Sequence, residues 1–215
     1  MKGLLLKDWY QVRTSMKAMC LTVAFVLVIW VFSTSNAYVF PVSYAAVFLG
    51  ILPINLLAYD PASGWTEYSF ALPLSKELQV AEKYLAGLLC TAVSAALNGI
   101  FCGILFWMGK PLPAMPIGLL LGAGAASILL INGIMLPLYY RFGAEKARML
   151  YMLMFAGMGA ALGGGAVMDE LQQNGTGSGP LPVPLWLAAV LLLAVLALYA
   201  VSWRVSVAWY GKYKK

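Results

Sequence analysis

Long uninterrupted runs of apolar residues constrain the fold of this chain more than any other feature. A helix that crosses a bilayer needs about 20 mostly apolar residues. The runs here are continuous and do not alternate with a period of two, so they predict transmembrane helices and not the strands of a membrane barrel. The predicted fold class is all-α, a polytopic membrane protein with one transmembrane domain over residues 1–215 and six spans, at about 18–37, 39–59, 84–108, 114–138, 147–168 and 184–203.

The basic residues are distributed very unequally between the two sides of this six-span arrangement. Of the 14 Lys and Arg residues, only Lys110 falls on the side away from the termini. By the positive-inside rule the basic side is cytoplasmic, which predicts a multi-pass protein of the cytoplasmic membrane with both termini inside. The net charge of +6 then follows from topology and anionic lipid headgroups, and no nucleic-acid partner is expected.

Two features of the predicted spans indicate their shape and packing: prolines, and pairs of glycines four residues apart. Pro53 and Pro137 predict kinks in the second and fourth spans. Glycine pairs predict close helix packing, because backbone approach must supply the contact between helices in lipid. The residues predicted to pack in this way are Gly99, Gly103, Gly118, Gly122, Gly159 and Gly163.

No ionisable residue falls in the middle of a predicted span. Such a group costs about 2.5 to 3.5 kcal/mol at mid-bilayer and is kept where ions or protons are handled. The pattern therefore argues against a proton-coupled carrier, an acid-lined channel and a membrane hydrolase. The span residues that are polar are neutral, and the sequence leaves open whether they bond helices together or line a translocation path: Asn55, Thr91, Ser94, Asn98, Ser127 and Asn132.

Metal and nucleotide sites are not predicted either. The chain has no His, and its three Cys residues lie inside apolar runs, which is typical of buried thiols. The segment "GILFWMGKP" at 103–111 looks like a phosphate-binding loop, but it has five residues between its glycines and a Pro where Ser or Thr would bind magnesium. Any ATP that the protein uses must therefore be bound by another chain.

The first 17 residues predict a helix that lies in the cytoplasmic membrane interface. Its apolar face would hold Leu5, Trp9, Val12 and Met16, with Lys7, Gln11 and Thr14 turned away from it. A secretory signal peptide is the alternative, with its apolar core at 18–32 and its cleavage site after Ala37.

The segment 60–83 is unusual because it holds six charged residues between two spans. Asp60 followed by Pro61 predicts a helix start, and a short helix from there to Phe70 would group Trp65 and Tyr68 with Glu67. Ser75 is predicted to cap a second helix that has Glu77 in its first turn and continues into span three. The pattern is typical both of a helix that docks on a partner and of an aromatic membrane anchor.

Two stretches and the six-span layout resemble the small bacterial ABC-2 type permeases, the membrane subunits of ATP-binding-cassette exporters. The stretches are "MKGLLLKDWY" and "GWTEYSFALPLSKELQVAEKYLAGLL", and the resemblance covers essentially the whole chain. It implies a cytoplasmic coupling helix that docks on a separate ABC ATPase subunit, with ATP and magnesium held by that partner and no cofactor, metal or catalytic residue here. The coupling residues that it implies are Asp60, Pro61, Trp65, Glu67, Tyr68 and Phe70.

The expected function is export of an apolar or amphipathic cargo across a bacterial cytoplasmic membrane. Relatives in the resembled family include exporters of peptide toxins and peptide antibiotics, so a peptide is one candidate cargo. Six helices enclose little space, and we therefore expect two such chains, identical or paralogous, to form the pathway. The alternatives are a non-transporting membrane scaffold or assembly factor and a sodium-coupled carrier.

Overall fold

A computed structural model describes residues 2–15, 17–32, 39–71, 75–110, 117–143, 146–147, 149–150, 152–153 and 185–210. Within these ranges the regular secondary structure is helical, in agreement with the predicted all-α class. The helices are α1 (Lys2–Ser15), α2 (Lys17–Phe32), α3 (Val39–Ala62), α4 (Trp65–Ala71), α5 (Lys76–Trp107), α6 (Ile117–Phe142) and α7 (Leu185–Tyr210).

Three helices in the described part of the chain are long and apolar enough to cross a membrane: α5, α6 and the Ala189–Tyr210 portion of α7. Shorter apolar stretches lie in α2 and α3. The charged residues of α5 all precede Tyr84, so the uncharged part of this helix, which is long enough to cross a membrane, begins there. Most of the predicted fifth span lies outside the described residues.

The beginning of α5 confirms the predicted cap. The Ser75 hydroxyl accepts a hydrogen bond from the Leu78 amide at 3.3 Å, and Glu77 lies in the first turn. The side-chain oxygen satisfies an amide that has no partner within the helix, and the carboxylate interacts favourably with the positive end of the helix dipole. The helix then continues without interruption into the predicted third span.

The predicted helix start at Asp60 and Pro61 is wrong. Both residues lie in the last turn of α3, where Asp60 is held by ion pairs to two lysines instead of capping a new helix. The chain turns only at Gly64, whose φ of 71° is the left-handed conformation that glycine adopts most readily. The short helix α4 therefore begins at Trp65, four residues later than Pro61.

A buried core joins α3, α5, α6 and α7 near the end of the bundle that holds Lys83 and Arg141, which we call the basic end. Tyr199 on α7 donates a hydrogen bond to the Tyr84 carbonyl at 2.8 Å, and Tyr139 on α6 donates one to the Leu57 carbonyl at 2.9 Å. The buried apolar residues around them include Val80, Leu129, Leu136, Tyr140, Ala147 and Val195. A second cluster on α2, α3, α5 and α6 lies towards the other end and consists of Val23, Leu27, Ala45, Phe101, Cys102, Leu105 and Leu120.

The neighbours α6 and α7 run parallel. Gly133 on α6 contacts Tyr199 and Ser202, and further along both helices Tyr140 packs edge-on against Tyr210 with ring centroids 5.4 Å apart. Because parallel neighbours begin at the same end of the bundle, the chain that connects α6 to α7 joins opposite ends. A membrane span between them, as predicted, would satisfy this requirement.

The predicted glycine packing is not formed within the described part of the chain. A Cβ placed on Gly99, Gly103, Gly118 or Gly122 would have no neighbour within 4 Å, and Gly159 and Gly163 lie outside the described residues. Other glycines make the close contacts: Gly50 faces Ile128, and a Cβ on Gly87 would lie 2.5 Å from the Tyr199 hydroxyl. The four-residue spacing alone does not identify the face that meets another helix.

The polar span residues divide by the bonds that they form. Asn132 donates to the Gly50 carbonyl of α3 at 2.9 Å and so joins two helices, and Asn98 donates to Ser94 on its own helix at 3.4 Å. Thr91 and Ser127 donate to carbonyls four residues earlier in their own helices, and Asn55 is half-buried. Interhelical bonding is therefore the role of Asn132, while Thr91 and Ser127 bond within their own helices.

Candidate functional site

Five charged side chains from three helices meet at the basic end and form what we call the ion cluster. Lys7 and Asp8 come from α1, Asp60 comes from the last turn of α3, and Glu82 and Lys83 come from the second turn of α5. The segments are far apart in sequence, since the Lys7–Asp60 and Asp8–Lys83 bonds join residues 53 and 75 positions apart. The cluster therefore ties the N-terminal helix to both helices that flank α4.

Two lysines hold the cluster together. The Lys83 ammonium lies 2.9 and 3.1 Å from the two Asp8 oxygens and 3.1 Å from Asp60 Oδ2. The Lys7 ammonium lies 2.8 Å from Asp60 Oδ1 and 3.1 Å from Asp8 Oδ1. Glu82 is less closely paired, because its Oε1 lies 3.8 Å from one ammonium and 3.9 Å from the other.

Burial makes these contacts energetically important. The exposed fraction is 2% for Lys83 and 3% for Glu82, and Asp8 and Asp60 are also buried. A charge removed from water costs several kcal/mol unless it is paired with good geometry. Losing one partner of this cluster would leave the other charges buried without compensation.

The cluster changes the acidity of its members. Burial raises the pKa of Glu82 to about 7; the neighbouring Lys83 opposes this effect and the Asp8 carboxylate adds to it. Burial alone would lower the pKa of Lys83, but the surrounding Asp60, Asp8 and Glu82 carboxylates raise that pKa above its ordinary value. Lys83 is therefore a permanent cation of the cluster, whereas Glu82 changes charge near neutral pH.

Helix α4 lies directly beside the ion cluster. The Trp65 ring lies 4.6 Å from the Lys7 ammonium, a cation–π contact, and 5.6 Å from the Tyr68 ring. Gln79 on α5 donates to the Ser69 carbonyl and accepts from the Tyr210 hydroxyl of α7. The short helix is therefore bonded to α1 and α5, and Gln79 links it to α7. Tyr68 remains 58% exposed.

The residues predicted to couple the protein to a partner are placed in different environments. Trp65 and Tyr68 are adjacent on α4, as the sequence predicted. Asp60 is buried in the ion cluster and Pro61 is exposed at the end of α3. Glu67 and Phe70 lie in α4, but their side chains fall outside the described part of the chain. An open groove between α1 and α4 is lined by Lys7, Gln11, Tyr59, Ser63, Gly64, Trp65 and Tyr68.

The side of α1 that faces the bundle carries charged as well as apolar residues. Leu4 and Asp8 face the bundle, and Lys7, expected on the side away from the apolar face, belongs to the ion cluster. Trp9 is 63% exposed and Val12 is half-buried, so the two do not share one environment. The pairing of Lys7 and Asp8 with Asp60 and Lys83 sets the side of α1 that turns inwards, and the location of α1 in the membrane interface stays a prediction.

Sequence reasoning did not identify Asp8, Glu82 and Lys83 as site residues. The available signal was the pair of adjacent opposite charges, Lys7–Asp8 and Glu82–Lys83, on either side of Asp60 in the sequence. Among the residues that the structure describes, no group of His, Cys, Asp and Glu side chains is arranged to hold a metal ion.

A comparison with protein families gives one match, which covers almost the whole chain. The model of a family described as "ABC-2 family transporter protein" matches residues 3–211. Comparisons with curated proteins and with solved structures give no match. Members of the matched family are transport subunits of membranes, generally not catalytic themselves, and typically work with an ATPase partner. The chain therefore belongs to the ABC-2 family of transporter proteins.

Proposed function

We propose that this chain is the permease subunit of an ATP-binding-cassette exporter of the bacterial cytoplasmic membrane. A separate subunit would hydrolyse ATP, and the permease would move an apolar or amphipathic cargo, such as a peptide, out of the cell. Family membership supports the transport role. The absence of ionisable residues from the middle of the predicted spans supports an external source of driving force over a proton relay.

The position of α4 carries this proposal. It is the short helix between α3 and α5, so a displacement of α4 acts on both of these apolar helices. Its aromatic side chains include the exposed Tyr68 and the partly covered Trp65. An aromatic surface on a short helix at the charged end of a membrane protein is suited to a groove on a soluble partner.

The ion cluster supports a mechanical role for this region. Asp60 at the end of α3 and Lys83 near the beginning of α5 are joined at 3.1 Å, and both are joined to α1. When the ATPase subunits close, a force on α4 would therefore move the ends of α3 and α5 together as one body. Two permease chains would form the cargo path between them, each resting on one ATPase.

The decisive experiment is ATP hydrolysis by the purified complex of this chain with its ATPase. The variant Tyr68→Ala removes an exposed ring without opening the core, and Trp107→Ala removes an exposed ring from the opposite end of α5 as a control. We expect Tyr68→Ala to weaken association and lower cargo-stimulated hydrolysis at least about tenfold, in the range of an interface hot spot. Trp107→Ala should leave both quantities unchanged.

Two results would overturn the proposal. One is unchanged association and hydrolysis in Tyr68→Ala and in the further variants Trp65→Ala and Glu67→Ala. The other is directional transport by the isolated chain in vesicles under a sodium gradient, without an ATPase or nucleotide. The second result would establish a sodium-coupled carrier instead.

A further inference from the structure

Glu82 is the one carboxylate of the ion cluster that has no lysine ammonium closer than 3.8 Å. Its side chain is 3% exposed, and its Oε1 has no hydrogen-bond partner among the described residues. The nearest ammonium nitrogens, those of Lys7 and Lys83, are 3.8 and 3.9 Å away. Those same nitrogens lie between 2.8 and 3.1 Å from the oxygens of Asp8 and Asp60. Both lysines are therefore engaged by the two aspartates in preference to Glu82.

The charges of the cluster do not balance when every member is ionised. Lys7 and Lys83 supply two positive charges, whereas Asp8, Asp60 and Glu82 supply three negative ones. The other titratable groups that face this region are tyrosines, Tyr139 and Tyr140 from α6 and Tyr210 from α7. A tyrosine hydroxyl adds no positive charge, so the described ion pairs leave one carboxylate without a counter-charge in a buried site.

A small pocket connects Glu82 with the protein surface at the basic end. It is lined by Glu82, Asp60 and Lys83 together with Gln79, Tyr139, Tyr140 and Tyr210. Its volume of about 50 Å³ is sufficient for a water molecule, whose share of liquid volume is about 30 Å³. A water molecule in this pocket would give the Glu82 carboxyl a route for proton exchange with bulk water, without separation of the helices.

We propose that the Glu82 carboxyl is a proton-binding site, and that protonation of this carboxyl locks α1 against the adjoining ends of α3 and α5. With Glu82 protonated, the two lysines balance the two aspartates and the cluster is neutral. The proton also permits a hydrogen bond between the Glu82 and Asp8 carboxyl groups. When the proton returns to bulk water, a third buried negative charge repels Asp8, and α1 separates from α5. The pKa of about 7 that burial gives Glu82 places this change at physiological pH.

This inference goes beyond the proposed function and does not depend on it, because it concerns the isolated chain. Asp8 lies on α1, and α1 also supplies Lys7 to the Trp65 ring of α4. Release of α1 would therefore loosen one of the contacts of α4. The site makes this end of the protein sensitive to pH whether or not an ATPase binds there.

The first test measures the proton directly in the full chain in lipid nanodiscs. Infrared spectra are recorded from about pH 5 to about pH 9, and the protonated-carboxyl band is followed. We expect one protonated carboxyl to persist to about pH 7, where ordinary Asp and Glu side chains are ionised. The band should disappear in Glu82→Gln and remain in Glu77→Gln, which changes an exposed carboxylate in the first turn of the same helix.

The second test measures the attachment of α1. The native cysteines are first replaced by alanine. A spin label is then placed at Leu6→Cys, an exposed position of α1. A control label is placed at Ile104→Cys, an exposed position of α5 far from the ion cluster. We expect the α1 label to become more mobile as pH rises, with a midpoint within about one unit of the carboxyl pKa. In Glu82→Gln, a neutral mimic of the protonated carboxyl, the label should stay immobile throughout, and the control label should not respond.

Three results would overturn the inference. The first is the absence of any protonated carboxyl above about pH 5.5 in the unsubstituted chain. The second is a mobility of the α1 label that does not change with pH when Glu82 is present. The third is a pH-dependent mobility of the α1 label in Glu82→Gln that equals the one measured when Glu82 is present. The infrared measurement on the unsubstituted chain needs no variant, so it can refute the inference even where a variant folds poorly.

Discussion

Replacing Lys83 with methionine removes the ammonium group at the centre of the ion cluster. That group lies 2.9 Å from Asp8 and 3.1 Å from Asp60, and the side chain is 2% exposed. Methionine has a similar length and volume, so the substitution deletes the charge with little change in packing. The two aspartates would then share Lys7 as their only described cationic partner.

The size of the effect follows from burial. Removing one partner of a buried ion pair costs about 3 to 5 kcal/mol, because the remaining charge stays out of water without compensation. We expect Lys83→Met to lower the free energy of unfolding by that amount at about pH 7, less whatever an aspartate recovers by binding a proton. This is a large fraction of the stability of a typical domain, about 5 to 15 kcal/mol.

Denaturant unfolding in detergent, followed by tryptophan fluorescence, measures this difference. Lys76→Met is the matched control because Lys76 is an exposed lysine in the first turn of the same helix. Surface substitutions of this kind usually change stability by less than about 0.5 kcal/mol. The double variant Lys83→Met, Asp8→Asn should recover part of the loss, with a coupling energy of about 0.5 to 3 kcal/mol. A loss of under about 1 kcal/mol in Lys83→Met, equal to that of Lys76→Met, would refute the reasoning.

Three further predictions follow from individual contacts. Folding raises the Glu82 pKa from 4.5 to about 7, so the stability that this group contributes is fully present below about pH 4.5 and is lost by about pH 7. The free energy of unfolding should therefore fall by roughly 3 kcal/mol over this pH range. Denaturation of Glu82→Gln should show no such fall. Gly87→Ala places a methyl group 2.5 Å from the Tyr199 hydroxyl, whereas the methyl group of Gly103→Ala enters open space. Both substitutions gain the same helix propensity, so Gly87→Ala should have the lower free energy of unfolding, by about 1 to 3 kcal/mol. Equal values would contradict the packing. Tyr84→Phe removes hydrogen bonds at 2.7 Å to two buried serine hydroxyls and should cost about 1 to 2 kcal/mol in the same assay, with an unchanged value arguing against these bonds.

The sequence predicted the local features that depend on neighbouring residues. Ser75 caps α5 as predicted, because a hydroxyl and an amide three residues apart meet whenever a helix begins there. Trp65 and Tyr68 are adjacent for the same reason, since residues three apart on a helix lie on one face. The start at Asp60 and Pro61 was wrong, although the two residues are a common helix start, because a tertiary ion pair to Lys83 competes with the local preference.

The apolar runs were sufficient to determine the helical, membrane-embedded class of the chain, because the absence of water obliges each segment to satisfy its own backbone. Only the tertiary structure decided where the charges near these runs belong. Lys7 and Lys83 each find a carboxylate more than 50 positions away, and no local pattern encodes such a partner. Membrane insertion acts on each apolar segment separately. The pairing of the buried charges instead depends on contact between the middle of α1, the end of α3 and the beginning of α5.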